Sequence, residues 1–219
     1  MNADAYKFHR LPNTPANRFK GYPIISDQVG AQELEVIWIE LKKVLDRGTS
    51  GSIVEFGCYA GTTSLFIRRL LDQTGESATR PFHVYDSFQG LPAKTTLDES
   101  PAGVDFAAGK LSVGKKEFLG QFRAAGLAPP SVHKGWFAEL TAGDVPNEIA
   151  FAYLDGDFYE SILSSLALVW PRLSPGAVVV VDDYNREALP GPARAINAYF
   201  AGRPRPHIAH MHDMAIMQR

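Results

Sequence analysis

Two continuous apolar runs, Ile149 to Leu154 and Ala177 to Val181, each break off into carboxylates: Asp155-Gly156-Asp157 after the first and Asp182-Asp183 after the second. A run with no polar face belongs to a strand covered on both sides, the condition of a parallel sheet between helix layers. Comparable runs at Ile53 to Phe56 and Phe82 to Tyr85, with a weaker one at Ser131 to His133, alternate with helical patterns. The helices are expected over Thr62 to Leu71, Lys115 to Ala125, Tyr159 to Leu173 and Pro192 to Phe200. Ser174-Pro175-Gly176 is expected to stop the third of these, and His207 to Gln218 to form a closing hairpin. The class is α/β, with βα units building a mostly parallel sheet.

If the two acid-ended strands lie side by side and parallel, four carboxylates meet at one sheet edge. Like charges this close raise one another's pKa or recruit a cation, and oxygen-only ligands favour a hard ion such as magnesium or calcium. The bland alternatives are a solvated strand end for Asp182-Asp183 and a helix N-cap for Asp157.

The first strand turns into its helix through Glu55-Phe56-Gly57-Cys58-Tyr59-Ala60-Gly61-Thr62-Thr63-Ser64. Glycines there let a ligand approach the backbone, with the helix N-terminus facing it. Asp86, ending the next strand about one βα unit later, is placed to accept ribose hydroxyls, so a nucleoside is implied. A dinucleotide fold wants Gly-x-Gly-x-x-Gly, whereas Cys58-Tyr59 interrupts that triplet and Glu55 precedes the first glycine. A carboxylate beside the loop suits a cationic ligand without phosphates, and S-adenosylmethionine fits better than NAD.

Charge and length agree with a small-molecule protein. The 219 residues carry 22 basic and 24 acidic side chains, a net charge of -2, which gives no case for nucleic acid or an anionic membrane. The lone Cys58 and a start without signal-peptide character point to the cytoplasm. One domain is expected over 1–219: an N-terminal extension and helix over 1–48, then an α/β core over 49–219. The amphipathic helix runs from about Ala31 to Arg47, and Pro92 to Gly109 is either a lid over the site or a plain surface loop. Tyr6, His9 and Tyr22 either line an acceptor pocket or anchor the N-terminus. Oligomeric state is left open.

Taken together, Glu55-Phe56-Gly57-x-x-x-Gly61-x-x-Ser64, Asp86-Ser87-Phe88-Gln89-Gly90-Leu91-Pro92, Lys134-Gly135-Trp136-Phe137, Leu154-Asp155-Gly156-Asp157-Phe158-Tyr159-Glu160-Ser161 and Leu173-Ser174-Pro175-Gly176 with Asp182-Asp183-Tyr184 resemble the macrocin O-methyltransferase family. The likeness covers roughly residues 50–186, in the family's order. It implies a class I, Rossmann-like methyltransferase fold, S-adenosylmethionine and Mg2+ as cofactors, and methylation of a hydroxyl on a sugar or other natural-product small molecule.

By matching positions, the resemblance makes Asp155, Asp182 and Asp183 metal ligands and Asp157 the general base. It puts Glu55, Gly57, Tyr59, Gly61, Thr63, Ser64, Asp86, Ser87, Phe88, Gly135, Trp136 and Phe137 around the cofactor. Ala177 stands where the family has a second glycine, and the N-terminal region and the tail from His207 are dissimilar. Cys58 reads as a packing residue. Trp136 reads as either a core aromatic or an adenine platform, and His207, His210 and His212 as surface histidines, the last two sharing a strand face. A magnesium-dependent methyltransferase of catechol-like phenols is the nearer alternative. A nucleotide-binding oxidoreductase or a non-catalytic nucleoside-binding module is the more distant one.

Overall fold

The computed structural model describes residues 21–102 and 106–219. Tyr6 and His9 therefore lie outside the described residues, as do 103–105 within the expected lid. Twelve regular elements follow one another: α1 (Ala31–Asp46), β1 (Ser52–Phe56), α2 (Thr62–Gln73), β2 (Phe82–Asp86), α3 (Lys115–Ala125), β3 (Ser131–Lys134), β4 (Ile149–Leu154), α4 (Tyr159–Val169), β5 (Leu173–Val181), α5 (Gly191–Tyr199), β6 (Ile208–Met211) and β7 (Met214–Gln218).

They build one seven-stranded sheet in the order β3-β2-β1-β4-β5-β7-β6. The first five strands are parallel, and the β6–β7 hairpin is added antiparallel to β5. Side chains alternate between two faces, each with its own core. Ile53, Phe151, Tyr153, Val178 and Val180 pack with α1, α2 and α3. Val54, Phe56, Ala152, Leu154, Val179 and Val181 pack with α4 and α5. The apolar runs of β1, β4 and β5 are thus buried on both faces, as their lack of a polar side requires.

The helix begun at Tyr159 ends earlier than its apolar spacing predicts. It stops at Val169 and tightens into a 3-10 turn over Trp170–Arg172. Pro171 is the cause, since its ring lacks an N–H and crowds the preceding turn. The strand then starts at Leu173, and Pro175-Gly176 forms an irregularity inside it, between the pairs Ile149↔Leu173 and Phe151↔Val178. His212 sits at the hairpin turn with φ +52°, so it does not share a strand face with His210. His210 instead stacks on Tyr184, ring centroids 5.1 Å apart.

Tyr22 is an anchor. Its ring lies under the Arg69 guanidinium at 4.3 Å and edge-on to Phe66, and its hydroxyl accepts a hydrogen bond from Gln73. The segment after Leu91 is tied down at several points. Leu91 and Lys110 meet through a backbone bond of 2.8 Å, Gly109 donates to the Leu91 carbonyl, and Arg194 donates to the carbonyl of Leu97. No helix among the described residues is long and apolar enough to cross a membrane.

Candidate active site

Strand order reverses between β1 and β4, and ligands of open α/β sheets bind outside the carboxyl ends of the strands at such a switch. A cleft of about 760 Å³, partly open to solvent, lies there.

The β1 turn forms its floor. Gly57 has φ +89°, and a Cβ there would overlap the Asp155 carbonyl oxygen. The glycine lets the β1 turn and the end of β4 touch. Gly61, φ +94°, begins α2, where a Cβ would press on the Phe118 ring at 2.9 Å. Asp86 knits this turn to its own. One carboxylate oxygen accepts the Cys58 N–H at 2.9 Å and, more weakly, that of Tyr59 at 3.4 Å; the other accepts the Phe88 N–H at 2.7 Å. A carboxylate has about four acceptor sites, so Asp86, which borders the cleft, retains acceptor capacity.

Glu55 lies beneath the floor, wholly buried, and accepts the Ser64 hydroxyl proton. Its other oxygen has no partner among the described residues. Burial pushes its pKa up to about 8, opposed by the Ser64 hydrogen bond and assisted by Asp86. The Cys58 thiol is likewise held well above its usual range by burial and by Asp86 and Glu55, so it stays protonated and is no nucleophile.

The carboxylates meet as the parallel pairing requires. Tyr153 pairs with Val180 and Leu154 with Val181, so Asp155 emerges beside Asp182, and both continue the sheet face that carries Tyr153. The Tyr153 hydroxyl reaches both, at 2.6 Å from Asp182 and 3.3 Å from Asp155. Asp182 also accepts the Asp183 N–H at 2.9 Å, and Asp183 accepts from Arg186 at 2.9 Å. Desolvation and mutual repulsion raise Asp155 well above the carboxylate range, Asp157 to about 8 and Asp182 to about 7; the Arg186 bond restrains the rise at Asp183.

Asp157 stands apart. It has φ +57°, no hydrogen bond holds its carboxylate among the described residues, and it borders the cleft. It is not the helix N-cap; Phe158 occupies that position, and the missing cap is supplied from far away by Asp98, which accepts the Tyr159 N–H at 2.6 Å. Six described non-glycine residues have positive φ, and four of them, Tyr59, Leu111, Asp157 and Asp183, line this cleft. Backbone strain of this kind costs on the order of 1–3 kcal/mol per residue and persists where the surroundings enforce it.

Of the residues expected around a cofactor, Gly57, Tyr59, Asp86, Ser87, Trp136 and Phe137 border the cleft. Phe137 is set edge-on against Phe56 at 5.2 Å. Glu55, Gly61, Thr63, Ser64, Phe88 and Gly135 do not border it; they stand behind the wall, where Gly135 donates to the Asp86 carbonyl and Phe88 packs near Phe118. Sequence reasoning missed Tyr153, Arg186, Asp98 and the cleft residues Gln28, Leu111 and Ser161. Two of these had a signal. Tyr153 precedes Asp155 by one strand period, and Arg186 follows Asp183 by three residues.

Residues 19–213 match the macrocin O-methyltransferase family. The chain belongs to that family. It is 34% identical over 165 residues to the 8-demethyl-8-(2,3-dimethoxy-alpha-L-rhamnosyl)-tetracenomycin-C 4'-O-methyltransferase of Streptomyces olivaceus, covering 73% of this chain and 63% of that one. It is 28% identical to the mycinamicin III 3''-O-methyltransferase of Micromonospora griseorubida, over 81% of this chain and 72% of the relative. The chain thus spans a little under two thirds of the first relative's length. Among solved structures, the O-methyltransferase NovP superposes with a TM-score of 0.76 at 27% identity, over 87% of this chain and 81% of that one. The calicheamicin methyltransferase CalS11, at 21% identity and a TM-score of 0.71, shares the fold. The architecture is that of class I methyltransferases.

Proposed function

We propose that this family member transfers a methyl group from S-adenosylmethionine to a hydroxyl, on the sugar of a small natural product, with a hard divalent cation held by Asp155, Asp182 and Asp183. The observation that carries the reading is that the glycine turn with Asp86 and the four carboxylates line one cleft. The tetracenomycin relative, named for a rhamnosyl-bearing acceptor, supports the acceptor class. Family membership and the absent third glycine weigh against the oxidoreductase alternative, and a carboxylate cluster is unneeded in a plain nucleoside-binding module.

The donor set fits the ion in its chemistry: oxygen atoms only, with charges that repel one another. Among the described residues no three potential ligands stand together as a finished cage, and Asp183 is engaged by Arg186, so binding involves side-chain rotation. When bound, magnesium lowers the pKa of a coordinated hydroxyl and fixes its direction. The remaining work falls to the chain. Asp86 takes a ribose hydroxyl, and Trp136, which also borders the cleft, stacks on the base. Asp157, which borders the cleft with no hydrogen bond on its carboxylate among the described residues, takes the proton from the attacking hydroxyl.

Transfer of labelled methyl from S-adenosylmethionine to a panel of glycosylated natural products and catechols tests the reading. Labelling of a sugar hydroxyl, lost in excess chelator and restored by magnesium, is expected. Full transfer in chelator refutes the cation, and exclusive labelling of catechols favours the phenol alternative.

A further inference from the structure

The most demanding hydrogen bonds at the cleft belong to a residue that does not line it. Tyr153 is wholly buried, with its ring in the core formed against α1 and α2. Its hydroxyl lies 2.6 Å from one oxygen of Asp182 and 3.3 Å from one oxygen of Asp155. A phenol has a single proton to give, and here it is delivered between carboxylates on neighbouring strands.

We infer that Tyr153 is a positioning residue for the proposed cation, fixing Asp155 and Asp182 in the mutual orientation that ligation uses. The inference rests on the cation reading above. Strand geometry accounts for the placement: Tyr153 precedes Asp155 by two residues on β4 and lies diagonally across from Asp182, because its direct partner on β5 is Val180. Asp182 is consequently bound at both ends, Oδ2 by the phenol and Oδ1 by the Asp183 N–H at 2.9 Å, which leaves its rotamer little freedom. Asp155 gives one oxygen to the phenol and keeps the other. Asp183, by contrast, is bound by Arg186, whose side chain is 45% exposed and able to swing away. One part of the ligand set is thereby rigid and the other adjustable.

A purely structural role makes a different forecast. Tyr85 is a matched control: its ring is equally buried, and its hydroxyl donates at 3.0 Å to the Asp144 carbonyl, away from the carboxylates. Tyr153→Phe and Tyr85→Phe each remove one buried hydroxyl and keep the ring, so both are expected to fold, which thermal melting verifies.

Binding of Mn2+, followed by electron paramagnetic resonance with no acceptor present, is then compared in the full-length wild type and both variants. Tyr153→Phe is expected to bind about 10–100-fold more weakly, the loss typical when groups that orient metal ligands are removed. Tyr85→Phe should match the wild type. S-adenosylhomocysteine affinity should be unchanged in both. Equal Mn2+ affinity in wild type and Tyr153→Phe overturns the inference alone. Equal losses in both variants also overturn it, by showing a general effect of core loosening. If the wild type binds no Mn2+, the cation reading falls and this inference with it.

Discussion

The two edges of the sheet are built from the same strands and handle charge in opposite ways. At the amino edge, Arg80 satisfies itself with Glu76 at 3.0 Å and with the carbonyls of Thr49 and Gly51 at 2.8 Å, and Glu148 accepts from Ser50 and Ser174. At the carboxyl edge, Asp155, Asp157, Asp182 and Asp183 face one another with Arg186 as the near cation, and their pKa values rise. Four strained non-glycine residues border that cleft. The contrast teaches that favourable pairing marks a place where the chain holds itself together, whereas maintained repulsion and strain mark a place prepared for something else.

The largest effect expected at the carboxyl edge is on rate. Asp157→Asn keeps the side chain's shape and removes its basicity, and should lower turnover by roughly 10²–10⁴-fold with S-adenosylhomocysteine affinity nearly intact. If the variant instead loses magnesium affinity and retains its rate at saturating metal, Asp157 is a ligand.

Gly57→Ala should damage the fold and the site together, because its Cβ meets the Asp155 carbonyl in a left-handed backbone. A loss on the order of 4 kcal/mol is expected by denaturant unfolding. Gly75→Ala, with φ +73° and open space around it, isolates the backbone strain, which is on the order of 1 kcal/mol. Similar losses for the two would remove the steric argument.

Arg80→Ala sharpens the comparison from the other side. It leaves two carbonyls without their donor and should cost about 1–3 kcal/mol, with cofactor affinity unchanged. A parallel fall in S-adenosylhomocysteine affinity would mean that the edges are coupled.

The effect of pH is a slope. Glu55 ionises near 4.5 in an unfolded chain and near 8 when folded. Between those values the folded protein holds a proton that the unfolded chain has lost, so stability falls as pH rises, by up to about 1.4 kcal/mol per pH unit. Glu55→Gln should flatten that decline in urea titrations across pH 5 to 8. Part of the slope should remain, because Asp155, Asp157 and Asp182 contribute in the same sense. An unchanged slope would show that Glu55 is ionised in the fold.

Much of this was legible in the sequence, for physical reasons that differ by residue. Strands buried on both faces announce themselves as unbroken apolar runs, and β1, β2, β4 and the later part of β5 fall where those runs lie. The acidic pair-of-pairs followed from parallel pairing alone. Apolar spacing carries α4 four residues past its end because Leu173 continues the pattern, while Pro171 acts through a backbone clash that spacing does not register. The resemblance places Ser64 and Glu55 around the cofactor, and in the structure they bond to each other and neither borders the cleft; a nine-residue separation across a strand–helix turn conceals which way each points. Asp98 was hidden altogether, since its cap for α4 spans 61 residues of chain.

The glycine turn and Asp86 at the carboxyl edge are proposed to form one nucleoside site. Isothermal calorimetry with S-adenosylhomocysteine tests it most directly, on the wild type, Asp86→Ala and Arg80→Ala. One saturable site per chain is expected, markedly weakened by Asp86→Ala and untouched by Arg80→Ala. Absence of binding in the wild type, or equal affinity in Asp86→Ala, would contradict it.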